Sequence, residues 1–204
     1  GPCTVEAGCG LSGSALLDRL EEAGLSGLEF LEGVPGTVGG WLAMNAGAHG
    51  GAIGERVDAI RCLNFDGTPS ILAASQCGFG YRACAGLRGR AALAVRLTLT
   101  AGTAAEIARR RAACRGRRMA LGGLRTAGSV FRNPDGDFAG RLLEAAGCKA
   151  MRVGGAAVFA GHANVIVAER GATASDVLVL MELMRRAVKS RSGVDLEPEI
   201  RIVR

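Results

Sequence analysis

Apolar positions recur along the chain with two periods, and the changes between them divide it into strands and helices. Residues 3–7 (CTVEA) alternate as a strand does, 8–13 read as a turn, and Leu16, Leu17, Leu20 and Ala23 fall at helical spacing before a stop at Gly24. Alternation returns in 57–65 (VDAIRCLNF), in 70–74 (SILAA) after an Asp66-Gly67 turn, and in 92–100 (ALAVRLTLT), a β-rich middle. Thr103 with Glu106 forms a capping box that opens a helix running to Arg118. Residues 151–169 predict strand, glycine turn and second strand, with His162 and Asn164 near the start of the latter. Thr173 and Asp176 open a long helix whose stripe of Val177, Leu180, Met181, Met184 and Val188 belongs to a core, and Gly193 ends it. Residues 196–204 (LEPEIRIVR) close the chain as a strand, with Glu197, Glu199 and Arg201 on one face and Leu196, Ile200 and Ile202 on the other. The class this pattern predicts is α+β. The chain opens directly on a strand, inside a fold, so a preceding segment is expected.

Between these elements lies the stretch the rest is organised around, 126–147 (TAGSVFRNPDGDFAGRLLEAAG). Ala127, Gly128 and Ser129 are small and permit close approach of a ligand, while Val130 and Phe131 are β-formers that pin the segment to a sheet. Ser129 then presents a hydroxyl from a rigid base, and Arg132 and Asn133 supply donors and acceptors. Pro134 stops the strand, Asp135-Gly136 turns, and Asp137 is placed to cap a helix with Phe138, Leu142, Leu143 and Ala146 on one face and Gly147 as its stop. An ordinary strand, turn and capped helix explains the same letters.

Composition sharpens this. The 204 residues include 32 glycines, well above the usual share, and only 4% aromatics, so tight turns and close backbone approaches are frequent. Two glycine-rich loops stand close together: Pro35-Gly36-Thr37-Val38-Gly39-Gly40, whose amides can point at a phosphate, and Asn45-Ala46-Gly47-Ala48. Tight packing is the alternative for either loop alone. His49 reads as a structural or pocket-wall residue. Gly78 and Gly80 hinge a turn that holds Arg82 beside Tyr81, suited to a carboxylate or phosphate; a surface ion pair is the alternative.

A net charge of +6 favours anionic partners, and the arginines at 109, 110, 111, 115, 117 and 118 read as a solvated or nucleic-acid-facing helix. The lack of interleaved aromatics there speaks against single-strand binding, and nucleic acid is not the expected partner. Seven scattered cysteines without C-x-x-C spacing predict reduced thiols, with neither disulfide framework nor metal site. No apolar run reaches membrane-spanning length, so no membrane partner is expected and a cytoplasmic location is the default.

Four of these stretches, 24–40 with 44–51 (MNAGAHGG), 77–82 (CGFGYR), 127–147 and 193–203 (GVDLEPEIRIV), occur together in the order found in UDP-N-acetylenolpyruvoylglucosamine reductase, MurB, the flavoenzyme family that forms UDP-N-acetylmuramate for peptidoglycan. The resemblance covers essentially the whole chain. It implies residues 1–102 as the second half of a flavin-binding domain of the vanillyl-alcohol-oxidase type, and 103–204 as the substrate-binding domain. It implies FAD and NADPH as cofactors: in that family NADPH reduces the flavin, which passes hydride to C3 of the enolpyruvyl group of a UDP-sugar, leaving an enolate that a serine protonates at C2. Ser129 matches that serine, Arg82 the arginine and Glu199 the glutamate beside the enolpyruvyl carboxylate. Tyr81 and Asn133 match substrate-pocket positions, and Pro35, Gly36, Thr37, Gly39, Gly40, Asn45, Gly47 and Arg201 are assigned to the flavin.

The chain departs from that pattern at several points. The small flavin lobe that precedes Cys3 in the family has no counterpart, so the flavin site is incomplete in this chain and a partner chain or segment supplying that lobe is expected. His49, Ala157 and Phe159 stand where the family carries tyrosine, glutamine and a small polar residue, and Met119-Ala120 replaces a Gln-Pro pair. Two other readings remain: a UDP-sugar-binding relative without redox chemistry, and a basic nucleic-acid-binding protein.

Overall fold

The computed structural model describes residues 1–116, 123–200 and 202 and divides the chain into two compact units, Gly1–Met119 and Ala120–Arg204. The first is built on an antiparallel sheet. Its central strand β9 (Arg90–Ala101) lies between β1 (Pro2–Gly8) and β5 (Val57–Asn64); β6 (Pro69–Ala73) extends the β5 edge, and the short β2 (Leu25–Ser26) also pairs with β9. The β5–β6 register, Leu63 opposite Pro69, places the Asp66-Gly67 turn as the sequence requires: Gly67 takes φ +86° and Asp66 accepts from the Thr68 amide.

One face of this sheet is covered by α1 (Gly13–Glu22), whose Leu16, Leu17 and Leu20 are buried at the predicted spacing. The short helix α2 (Val38–Ala43) inserts Trp41 into the same core, where it lies so close to Gly13 that a β-carbon there would sit 1.9 Å from the indole. Two small hairpins complete the unit: β3 (Gly47–Ala48) with β4 (Gly51–Ala52), and, after the single-turn helix α3 (Ala74–Cys77), β7 (Phe79–Gly80) with β8 (Ala83–Cys84).

Helix α4 (Ala104–Gly116) begins with the predicted box: Thr103 Oγ1 accepts from the Glu106 amide, and the Glu106 carboxylate accepts from the Thr103 hydroxyl. Two expectations change here. The resemblance divides the halves at 102/103, whereas α4 lies in the first compact unit, which runs to Met119. Nor is the helix simply a solvated basic rod. Arg111 is buried and donates to Glu32 (2.7 Å), Glu21 (2.7 Å) and Asp18 (2.7 Å), Arg115 donates to Glu32 (2.9 Å), and Arg110 reaches Ser26 (2.8 Å). Three of the arginines that suggested nucleic acid therefore bind the acidic edge of their own unit; Arg117 and Arg118 lie outside the described residues. Burial alone pulls the Arg111 guanidinium down, but the three carboxylates outweigh it and hold it above its ordinary value.

The second unit packs α5 (Ala139–Ala145) and the long α6 (Ala174–Ser192) with a three-stranded antiparallel sheet of β10 (Arg152–Val153), β11 (Ala156–Val158) and β12 (Ile166–Ala168). Thr173 and Asp176 cap α6 reciprocally, Leu180, Met181, Met184 and Val188 are buried, and Gly193 at φ +73° ends the helix. The single predicted first strand of 151–169 is instead a tight hairpin, because Gly154 takes φ +50° and turns the chain after two residues. Helix α5 begins later than its letters suggest. Asp137 binds the Phe138 amide and Arg141 rather than capping; Asn133 Oδ1 receives the Ala139 amide (3.0 Å), and Phe138, expected on the buried face, is 68% exposed. None of the helices among the described residues is long and apolar enough to cross a membrane.

Candidate active site

The chemistry predicted at 126–147 rests on the backbone around Ser129. Gly128 at φ +80° turns the chain into a short extended run that touches neighbours on both sides. On one side Ser129 bridges Val165; on the other Phe131 bridges Pro198. The Glu199 amide donates to the Val130 carbonyl (2.7 Å), and the Arg132 amide to Glu197 (2.9 Å). Ser129 and Glu199, 70 positions apart in sequence, thus stand on adjoining antiparallel segments of one unit. Both are half-buried, so each remains reachable from solvent. The closing segment, a full strand by its letters, bridges among its described residues at Pro198, which has no amide to continue a ladder. Arg201 falls outside the described residues.

The remaining member of the predicted trio, Arg82, lies in the first unit at the tip of the β7–β8 hairpin. Its backbone sits at φ +52°, where a residue with a β-carbon is strained. The guanidinium packs 5.2 Å from the Tyr81 ring centre and donates to the Gly47 carbonyl (3.3 Å). Asn45, also at positive φ, joins the same hairpins: Nδ2 donates to the Gly80 carbonyl (3.0 Å), and Oδ1 accepts from the Gly54 amide (3.0 Å). His49 and Gly50 form the β3–β4 turn with both residues at positive φ, as a type I′ turn requires. Of the three non-glycine residues at positive φ among the described residues, His49 and Arg82 sit at the turns of the two hairpins, and Asn45, just before β3, ties one to the other.

The first glycine-rich loop offers less free backbone than its letters suggest. The Val38 amide donates to Leu11, the Gly39 amide to Cys9, and the Gly40 amide to the Thr37 hydroxyl. What remains open is the Gly36 end, where a β-carbon would meet nothing within 4 Å. Pro35 and Gly36 border a depression of about 300 Å³ that Ser12, Ser14 and Glu32 also line. A second depression, of about 190 Å³, is lined by Phe131, Leu178, Met181 and Pro198, and neither Ser129 nor Glu199 lines it.

Two asparagines do work inside the fold that their letters do not announce. Asn164 is 3% exposed, and its amide clasps the Phe131 backbone through both its atoms. Its one signal was an amide inside the apolar run 163–168. Asn45 was read as a cofactor residue, yet its amide is bonded on both sides within the protein. The cysteines are free thiols; burial pushes Cys9 and Cys77 up to about 11, which leaves them unreactive.

Residues 120–203 match the C-terminal domain of UDP-N-acetylenolpyruvoylglucosamine reductase, and residues 3–72 match an FAD binding domain. Against the UDP-N-acetylenolpyruvoylglucosamine reductase of Anaeromyxobacter sp. (strain Fw109-5) the chain is 48% identical over 198 residues, covering 96% of this chain and 62% of that protein. Against that of Geobacter metallireducens it is 41% identical over 201 residues, 98% of this chain and 67% of the relative. The crystal structure of the Thermus caldophilus enzyme, MurB, superposes with a TM-score of 0.85 at 36% identity, covering 96% of this chain and 71% of that one. The chain belongs to the UDP-N-acetylenolpyruvoylglucosamine reductase family. As a member it combines an FAD-binding-type region with the MurB C-terminal domain in the α+β class, and it spans 62% of the length of its Anaeromyxobacter relative. The MurB C-terminal match begins at Ala120, the first residue of the second compact unit.

Proposed function

We propose that this chain works in the reduction of UDP-N-acetylglucosamine enolpyruvate to UDP-N-acetylmuramate, with NADPH as reductant, the first unit serving the flavin and the second the sugar nucleotide. The observation that carries this reading is the pairing of the Ser129 segment with the Glu199 segment, which gives one unit a hydroxyl and a carboxylate on adjoining backbones. Reduction of an enolpyruvyl double bond needs a hydride at one carbon and a proton at the other. Bound FAD supplies the hydride chemistry. Ser129 gives its proton to C2 and regains one from solvent; Val130 and Phe131, which follow it, are buried, so its hydroxyl has a fixed base. Arg82 stabilises the negative charge that develops on the enolpyruvyl carboxylate, an effect of about 10² to 10³ in rate for one donor. Glu199 orients the same end of the substrate, and Tyr81 and Asn133 contribute to its pocket.

The open glycine face at Gly36, beside the Ser12 and Ser14 hydroxyls, suits close approach by one part of a dinucleotide such as FAD. Pro35, Gly36 and Thr37 would hold it. Gly39, Gly40, Asn45 and Gly47 shape that loop and its neighbour from within, and Arg201 is assigned to the same cofactor. A partner chain or segment supplies the rest of the flavin site, and the reaction takes place in the cytoplasm. The test is NADPH oxidation by the purified chain with added FAD, with and without the enolpyruvyl sugar. Oxidation that depends on the sugar and disappears in Ser129→Ala supports the reading; oxidation at an equal rate without the sugar contradicts it.

A further inference from the structure

The Ser129 segment is held by single bridges rather than a ladder, so something else must fix its register. Asn164 does what a neighbouring strand residue would do. The Phe131 amide donates to its Oδ1 (2.9 Å), and its Nδ2 donates to the Phe131 carbonyl (2.8 Å). Its own carbonyl accepts from the Val130 amide (2.9 Å), and the Val130 carbonyl accepts in turn from the Glu199 amide (2.7 Å). Three bonds from one buried residue converge on 130–131, and a fourth continues to the carboxylate-bearing segment.

We propose that Asn164 is the positioning residue of this centre. It touches no reacting atom; it acts through Val130 and Phe131 to set where Ser129 and Glu199 stand relative to the substrate. The residue type follows from the partner. Phe131 presents one donor and one acceptor side by side, and a primary amide is the side chain that answers both. An aspartate would keep the acceptor but set a negative oxygen against the Phe131 carbonyl, and a leucine of similar volume would leave both backbone groups unanswered in a buried place. A displacement of about 1 Å at a reacting group can cost about 10² in rate, so loss of this clasp is read as a loss of turnover rather than of binding.

The inference rests on Ser129 as the proton donor, and its test separates the two claims. Asn164→Asp and Asn164→Leu are made in the full chain. Amide hydrogen exchange is expected to rise at least about tenfold at Phe131 and Glu199 while the amides of α6 stay unchanged. With FAD and NADPH supplied, kcat is expected to fall about 10- to 100-fold with KM for the enolpyruvyl sugar within about threefold. Unchanged exchange at Phe131 and Glu199 in a folded variant overturns the inference, as does a leucine variant with wild-type kcat. If the unsubstituted chain reduces the enolpyruvyl sugar and Ser129→Ala does so at the same rate, the serine reading fails, and the exchange rates alone decide whether Asn164 fixes the segment. Should the aspartate variant not fold, the leucine variant decides.

Discussion

Arg82 carries a long side chain in a backbone conformation that glycine would adopt more easily, at about 1 to 2 kcal/mol of strain for an L-residue. A sequence free to optimise stability would place glycine at this tip. Arg82→Gly is therefore expected to melt higher than Arg82→Ala, by about 1 kcal/mol in stability, while both lose turnover by about 10² or more. Thermal denaturation and steady-state kinetics on the pair check this; an alanine variant as stable as the glycine one would show that the hairpin relaxes and stores no strain. At Ser129, alanine removes the hydroxyl without touching the bridge to Val165, so the melting temperature is expected to stay put while kcat falls about 10² to 10⁴. At this scale a small-residue turn before two β-formers singled out Ser129, and glycines flanking Phe79 singled out Arg82; the structure has the first half-buried on a bridged segment and the second at a hairpin tip. What they could not reveal is that Asn45 and Asn164 bond backbone rather than ligand, since an asparagine's letter is the same in either use.

Among the elements, α4 is where local reading and tertiary structure diverge most. Its capping box was legible because both partners lie within one turn, whereas Arg111 finds Asp18, Glu21 and Glu32 across 79 to 93 residues. No periodicity announces such partners. Because the Arg111 side chain is only 6% exposed, removing it leaves Glu32 buried with, among the described residues, the Arg115 guanidinium as its remaining ion pair. Arg111→Ala is expected to destabilise the first unit by about 3 kcal/mol, the low end for a buried pair since Asp18 stays solvated. Arg111→Lys is expected to recover less than half of that, because an ammonium cannot match three carboxylates with a planar fork. Denaturant titration measures both.

The adjoining Glu29 gives this edge a pH dependence. Burial pushes its carboxyl up, but hydrogen bonds from the Ser26 hydroxyl and the Gly27 amide, with the Arg110 charge, bring it below the usual glutamate value. A carboxylate depressed on folding contributes stability that is complete above its unfolded pKa of about 4.3 and disappears as the pH falls through the folded value. Stability is expected to drop below about pH 4.5, and Glu29→Gln to flatten that acid limb while lowering stability at pH 7. An acid limb identical in the two proteins would remove Glu29 from its cause.

For the molecule as a whole, the residues assigned to the proposed reaction fall in both compact units. The flavin-type region and Arg82 lie in the first; the MurB C-terminal domain, Ser129 and Glu199 lie in the second. Family and class were legible because four motifs stand in register across the whole length, each weak alone. The boundary was not, because the basic helix after residue 102 carries no letter that says which side it packs on; only the acids of α1 and of the 29–32 turn decide that. The central claim, that Ser129 delivers the proton completing reduction of the enolpyruvyl group, is tested most directly by NMR of the product formed in D₂O by the chain with FAD and NADPH. The account predicts UDP-N-acetylmuramate carrying solvent deuterium at C2, with formation abolished in Ser129→Ala. Deuterated product forming at the same rate in that variant would contradict it.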